Sequence, residues 1–256
     1  MKIRVLGCSG GIGGEFQHTT SLLLDQDILI DAGTGVFALS IDELAKIDHV
    51  FLTHTHLDHI AALPLMLDTV ADHRQRPLTI YGSAAVINSL KQHIFNWVIW
   101  PDFSVLPNAE QPFLRYQTIE LAQTVCLDGG RSLTALPVDH TVPAVGYCVA
   151  SGTASLVFSG DTGACAAFWE AVNQIENLRY LIIECAFSNR DQELAQASKH
   201  LCPSLLAAEL QKLERECEIY ITHIKPSQLA QTATEVAQCL AIHKPRLLQT
   251  NQIFEF

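Results

Sequence analysis

Residues 50–67 read VFLTHTHLDHIAALPLML and hold three of the chain's 11 histidines, His54, His56 and His59, with Asp58 among them. An apolar run short enough for a strand precedes the cluster, and one long enough for a helix follows. Side chains alternate in direction at the end of an extended strand, so His54 and His56 point the same way and can share one metal ion. Asp58 and His59 fall where the helix begins and can face a second position close by. Neutral imidazole with carboxylate is a ligand set that suits Zn, Fe or Mn. Asp58 alone also has the position of a helix N-cap, and one histidine beside apolar residues is commonly a core residue. It is the packing of three histidines into six positions that points to metal.

Four side chains do not complete two coordination spheres, so further ligands are expected at strand ends downstream. ALPVDHTVPAVGY supplies His140, SLVFSGDTG supplies Asp161 and EIYITHIKP supplies His223, each where an apolar run gives way to a loop. Singly, each reads more readily as a turn or cap residue. Their recurrence in the same setting is the signal.

Around these motifs the chain has 256 residues with 48% hydrophobic content, enough for a sizeable core and expected to form one domain over residues 1–256. A net charge of -11 disfavours nucleic acid as a partner, because a broad grip on phosphates needs a basic face. The opening MKIRVLGCSGGIGG lacks the apolar stretch of a signal peptide, and no run approaches the roughly 20 apolar residues of a membrane span. A cytoplasmic protein without a membrane partner is expected. The 8 cysteines are scattered without a C-x-x-C pair, which predicts reduced, mostly buried thiols. Residues 7–14 are glycine-rich, but the G-x-G-x-x-G spacing is absent and a strand follows, which argues against dinucleotide binding.

The remaining pattern predicts strands at 2–6, 21–24, 28–30, 49–53, 78–81, 124–126, 132–137, 144–149, 155–159, 180–184, 219–222, 246–248 and 252–255. Helices are expected at 41–45, 59–72, 83–95, 164–175, 202–213 and 228–242. Lacking a steady β-α alternation, they suggest two mixed sheets packed together with helices outside. Residues 95–116, FNWVIWPDFSVLPNAEQPFLRY, are aromatic with three prolines and read as an insertion. Phe95, Trp97, Trp100 and Phe103 there suit either packing, in the core or in a homodimer interface, or stacking on a substrate base.

H-T-H-L-D-H, with Asp31 of ILIDAG upstream and His140, Asp161 and His223 downstream, resembles the five-motif signature of the metallo-β-lactamase fold over nearly the whole chain. The resemblance implies an α+β fold, a four-layer αβ/βα sandwich with two divalent metal ions, Zn or alternatively Fe or Mn, at the sheet edges. It implies that His54, His56 and His140 hold the first ion, that Asp58, His59 and His223 hold the second, and that Asp161 bridges them. Asp31 then resembles the carboxylate that fixes the loop and orients a ligand, although it also reads as a turn residue before Gly33.

HTHLDHIAALPLM, FSGDTG, IECAFSN, SKHL and ITHIKP together resemble the class II cyclic-nucleotide phosphodiesterases. Ala61 and Ala62 stand where that group usually carries a small residue then Gly, or Gly itself, and the usual Ser-Pro that follows is missing. The resemblance implies hydrolysis of a small-molecule phosphodiester, 3′,5′-cAMP or cGMP, to the 5′-monophosphate. Two ions about 3.5 to 4 Å apart can lower the pKa of a shared water and clamp the non-bridging oxygens of such an ester. Asp58 is expected to serve catalysis as well as binding, and Lys225 and Thr141 are the expected substrate contacts, Lys225 by neutralising a phosphate. A tRNA 3′-processing endonuclease is the first alternative. It is similar in its metal motifs and in a Glu184…His200 pair, with His200 as general acid and Glu184 orienting it. The short interval from His140 to Asp161 argues against it, because the tRNA-gripping arm of that family is inserted there. A β-lactam or thioester hydrolase is the second alternative, from which Lys225 and ITHIKP lean away.

Overall fold

Period-2 alternation along short apolar strands sends the two faces of each sheet into different cores, and this decides the architecture. A computed structural model describes residues 1–14 and 17–256. The strands are β1 (Lys2–Gly7), β2 (Ser21–Leu24), β3 (Ile28–Ile30), β4 (His49–Phe51), β5 (Leu78–Gly82), β6 (Leu114–Thr118), β7 (Thr124–Leu127), β8 (Arg131–Pro137), β9 (Val145–Ala150), β10 (Ser155–Phe158), β11 (Leu178–Glu184), β12 (Glu218–Thr222), β13 (Arg246–Leu247) and β14 (Ile253–Glu255). They form two seven-stranded sheets, in the orders β14-β1-β2-β3-β4-β5-β6 and β13-β12-β11-β10-β9-β8-β7. The helices are α1 (Ile41–Leu44), α2 (Leu57–Ile60), α3 (Leu63–Val70), α4 (Ala84–His93), α5 (Ala166–Asn173), α6 (Gln192–Ala197), α7 (Pro203–Leu210) and α8 (Leu229–Cys239).

Ile28, Ile30 and Phe51 of the first sheet meet Tyr147, Leu156, Phe158 and Ile182 of the second in the central core. Their neighbours Leu29 and Val50 face outward onto Leu63, Met66 and Leu67 of α3 and Leu90 of α4. Val157, Leu181 and Ile183 face outward onto Phe168 and Val172 of α5, Leu206 of α7 and Val236 of α8. The result is the expected four-layer αβ/βα sandwich. Phe51 and Tyr81 stack at 4.3 Å, and Tyr147 donates its hydroxyl to the Leu52 carbonyl at 2.9 Å, tying the second sheet to the segment that leads into the histidine cluster.

Three expectations need correction. The single helix over 59–72 is two helices, α2 and α3. The Ala62 N–H bonds to Ala32 O at 2.9 Å across the break, and Pro64, which has no N–H to give, sits in the first turn of α3. Strand β6 starts inside the stretch read as an insertion, and Phe95 and Phe103 are core residues beneath the first sheet. Trp97, by contrast, is 62% exposed. The cysteines are not mostly buried: Cys148, Cys185 and Cys202 are, whereas Cys126 and Cys239 reach the surface. Helix α6 had not been anticipated; it is a polar segment in which Ala195 alone is buried. Among the described residues no helix is long and apolar enough to cross a membrane.

Candidate metal centre

Strands β3, β4, β10, β11 and β12 run in parallel pairs, and β8 and β10 flank β9, each antiparallel to it, so several strands deliver their C-terminal ends to one edge of the sandwich. Residues that follow such ends converge in an α/β architecture. Asp31 follows β3, residues 53–59 follow β4, His140 lies beyond β8, Asp161 beyond β10, and His223 directly after β12. All seven expected ligands meet there. His54, His56, His140 and Asp161 form one group, and Asp58, His59, Asp161 and His223 a second, so that Asp161 belongs to both.

Within the first group His56 Nδ1 lies 3.1 Å from His54 Nε2 and 3.2 Å from His140 Nε2. Asp161 Oδ2 lies 3.6 Å from His54 Nε2 and 3.3 Å from His59 Nε2, while its Oδ1 lies 3.2 Å from His223 Nδ1. On the second side Asp58 Oδ2 is 3.6 Å from His223 Nε2 and 3.8 Å from His59 Nε2. Asp58 is half-buried and opens the centre to solvent, whereas Asp161 and His59 are fully enclosed.

The surrounding chain fixes which nitrogen of each ring faces inward. Asp31 accepts the Thr53 N–H at Oδ1 (2.8 Å) and, at Oδ2, both the Thr53 hydroxyl (2.8 Å) and His59 Nδ1 (2.7 Å). His54 Nδ1 meets Thr53 Oγ1 at 3.0 Å, and His140 Nδ1 donates to the Lys199 carbonyl at 3.1 Å. These contacts leave Nε2 of His54, His59 and His140 pointing into the cluster. His223 is held through its backbone: its N–H donates to Cys8 O at 2.8 Å, and the glycine-rich loop closes on it so tightly that a Cβ on Gly10 would lie 2.3 Å from His223 O. Close approach to the strand end that carries His223 therefore accounts for the glycine at position 10. Asp31 and His223 both adopt left-handed backbone, and Gly160, also left-handed, packs on Thr53 and places Asp161.

Four of the five clustered histidines and the enclosed carboxylates offer what a cation needs. Burial lowers the pKa of His54, His56, His140 and His223, the last to about 4, so these imidazoles are neutral and offer lone pairs. His59 differs: burial acts against its charged form, but Asp161 and Asp31 hold its pKa well above the ordinary value. Burial works against ionised Asp161, yet His223 and His59 draw its pKa well down. Burial pushes the Asp31 carboxyl up, opposed by His59 and Thr53. His59 Nε2, His223 Nε2 and Asp161 Oδ1 are buried without a hydrogen-bond partner among the described residues. Inward-facing lone pairs around enclosed carboxylates are costly when bare and favourable around divalent cations.

A Glu184–His200 pair lies beside the centre. Burial opposes the charged form of His200, but the Glu184 charge and hydrogen bond raise its pKa. Glu184 Oε1 accepts from His200 Nδ1 at 2.6 Å, and the carboxylate also takes backbone N–H groups of Thr162, Ala186 and Leu201. The His200 ring sits 5.0 Å from His140 and 5.4 Å from His223. His200 is thus buried at the cluster. Lys225 is part-buried and donates to Gly10 O at 2.8 Å, and Thr141 is exposed next to His140. Sequence reasoning missed Thr53, Thr20 (3.4 Å from His223 Nδ1) and the Lys199 carbonyl. Only Thr53 carried a usable signal, a hydroxyl directly before the first histidine.

A four-layer αβ/βα sandwich with a His/Asp cluster at its strand ends is the architecture of the metallo-β-lactamase-fold hydrolases. Residues 26–243 match the beta-lactamase superfamily domain, and the chain belongs to that family. A probable 3′,5′-cyclic-nucleotide phosphodiesterase of Yersinia pestis is 28% identical over 279 aligned residues, spanning 88% of this chain and 78% of that protein. A ribonuclease Z of Clostridium beijerinckii is 28% identical over 157 residues, 58% of this chain and 48% of its own length. Among solved structures, unliganded yeast PDE1 shares the fold with a TM-score of 0.83 at 18% identity, covering 100% of this chain and 99% of its own.

Proposed function

We propose that this chain is a cytoplasmic, binuclear metal-dependent phosphodiesterase that hydrolyses 3′,5′-cyclic nucleotides to 5′-monophosphates. The observation that carries the reading is Asp161, whose Oδ2 lies between His54 of one group and His59 of the other while its Oδ1 faces His223. His54, His56 and His140 would hold one ion and Asp58, His59 and His223 the other, with Asp161 shared. Zn suits the nitrogen-rich donor set, and Fe or Mn are the alternatives. When bound, two divalent ions supply Lewis acidity to the phosphate and acidity to a shared water.

The chain's own residues supply the rest. Hydrolysis adds oxygen to phosphorus and breaks the P–O3′ bond, so the 3′ oxygen must gain a proton. His200, held at Nδ1 by Glu184, would donate it from its other nitrogen. Asp58, half-open to solvent, is positioned to orient the incoming water, and Lys225 and Thr141 are the candidate phosphate and rim contacts. The exposed turn at Trp97, Val98 and Ile99 is proposed as a homodimer contact.

The Glu184–His200 pair favours one second reading, a tRNA 3′-processing endonuclease. The interval that would have to carry a tRNA-gripping arm is here the β9–β10 hairpin, closed by residues 151–154. Parallel assays decide between the readings: turnover of cAMP or cGMP together with bis-p-nitrophenyl phosphate is expected. Cleavage of pre-tRNA alone would replace the substrate assignment, and nitrocefin turnover alone would replace the reaction class.

A further inference from the structure

Thr53 touches both Asp31 and His54, and through one side chain its contacts reach both ligand groups. It is wholly buried, at the start of the loop leaving β4. Its N–H donates to Asp31 Oδ1 and its hydroxyl approaches Asp31 Oδ2, both at 2.8 Å. The same oxygen lies 3.0 Å from His54 Nδ1 and 3.5 Å from His59 Nδ1. A hydroxyl has one proton to give and two lone pairs to accept with. With the carboxylate taking that proton, only the lone pairs face His54, so His54 must carry its own proton on Nδ1. His59 Nδ1 is likewise committed to Asp31 Oδ2 at 2.7 Å.

We infer that Thr53 is a positioning residue that, through one hydroxyl and the Asp31 carboxylate, sets the ring tautomer and orientation of His54 in one ligand group and of His59 in the other, making the two cation seats interdependent. The inference rests on the two-ion reading above for its consequence, but its structural content, the proton on His54 Nδ1, stands apart from any ion. A conventional contact behind a ligand serves one ring. Here a single atom serves two, so removing it disturbs both seats, whereas removing the hydroxyl of Thr20, which among the described residues reaches His223 Nδ1 alone at 3.4 Å, disturbs one.

The test has two readouts. Long-range proton–nitrogen correlation spectra of metal-free wild type, labelled with nitrogen-15 at histidine and held at mildly alkaline pH, are expected to show His54 protonated at Nδ1. A proton on Nε2 overturns the inference without any variant being made. Titration with Zn²⁺ alone is then compared for wild type and Thr53→Val, Thr53→Ser and Thr20→Val. Thr53→Val keeps the backbone N–H and the β-branch, and is expected to weaken both binding steps by about 10- to 100-fold. Thr53→Ser is expected to restore both, and Thr20→Val to weaken one step only. Two wild-type-like steps in Thr53→Val, or a loss confined to one step, would overturn the inference. If Thr53→Val does not fold, the tautomer of wild-type His54 decides alone. Wild type that takes up no Zn²⁺ contradicts the two-ion reading, and the tautomer still decides the role of Thr53.

Discussion

The division of labour at the candidate centre is set atom by atom, and the contacts behind the candidate ligands are as specific as those residues themselves. Asp31 accepts three hydrogen bonds and offers no proton of its own while ionised. Asp31→Asn keeps the shape but turns an NH₂ toward a donor, so metal affinity should fall by about 10- to 100-fold in a chelator competition titration. His200→Gln should lower cAMP hydrolysis by about 10²- to 10⁴-fold, the range for loss of a general acid. Because p-nitrophenolate leaves without protonation, bis-p-nitrophenyl phosphate should lose far less, and equal losses on both substrates would remove His200 from the proton-donor role. The candidate ligands were legible in the sequence because four lie within six positions and the others follow apolar runs. Thr53, Thr20 and the Lys199 carbonyl act through partners 22, 203 and 59 positions away. A local pattern cannot display such pairings.

Strand ends and the segments clamped on them convert those contacts into a rigid site. The glycine-rich loop secures His223 by close backbone approach, so Gly10→Ala must push the two apart. It should lower the melting temperature and weaken Zn²⁺ binding together, both measurable on one preparation. Tyr147 ties the second sheet to Leu52 O, two residues before His54. Tyr147→Phe keeps the ring against Phe51 but leaves a buried carbonyl bare, so urea denaturation should show a loss of about 1–3 kcal/mol. Most strands were readable from apolar alternation between turns. Strand β6 was not: Leu114 is its one buried residue, and aromatic, proline-rich sequence precedes it. Helix α6 escaped for a related reason, as it buries a single alanine and shows little apolar periodicity. The break between α2 and α3 needed the Ala62–Ala32 contact, which sequence does not reveal.

At the scale of the whole molecule, the two sheets are joined at the edge away from the candidate centre by Arg131 at the start of β8, which donates to both carboxylate oxygens of Asp27 in the β2–β3 turn, at 2.8 Å to Oδ2. Burial pushes the Asp27 carboxyl up, but the Arg131 hydrogen bonds and charge prevail and hold its pKa below the ordinary 3.8. Because the folded-state value is the lower one, this contribution is present in full above about pH 4 and is lost as pH falls through the folded value. Arg131→Ala should therefore reduce stability at neutral pH and leave it little changed in strong acid, as followed by thermal melts across pH. The two-layer arrangement of sheets was legible from the mixture of strands and helices, but this clasp spans 104 positions and was not. We propose that Asp161 joins two cation sites that serve phosphodiester hydrolysis. This proposal is tested most directly by metal content from mass spectrometry, paired on the same preparations with cAMP and cGMP hydrolysis, for wild type and Asp161→Ala. Two ions per chain with turnover are expected in wild type, and loss of both bound metal and activity in the variant. Two ions retained by Asp161→Ala with undiminished hydrolysis would contradict it.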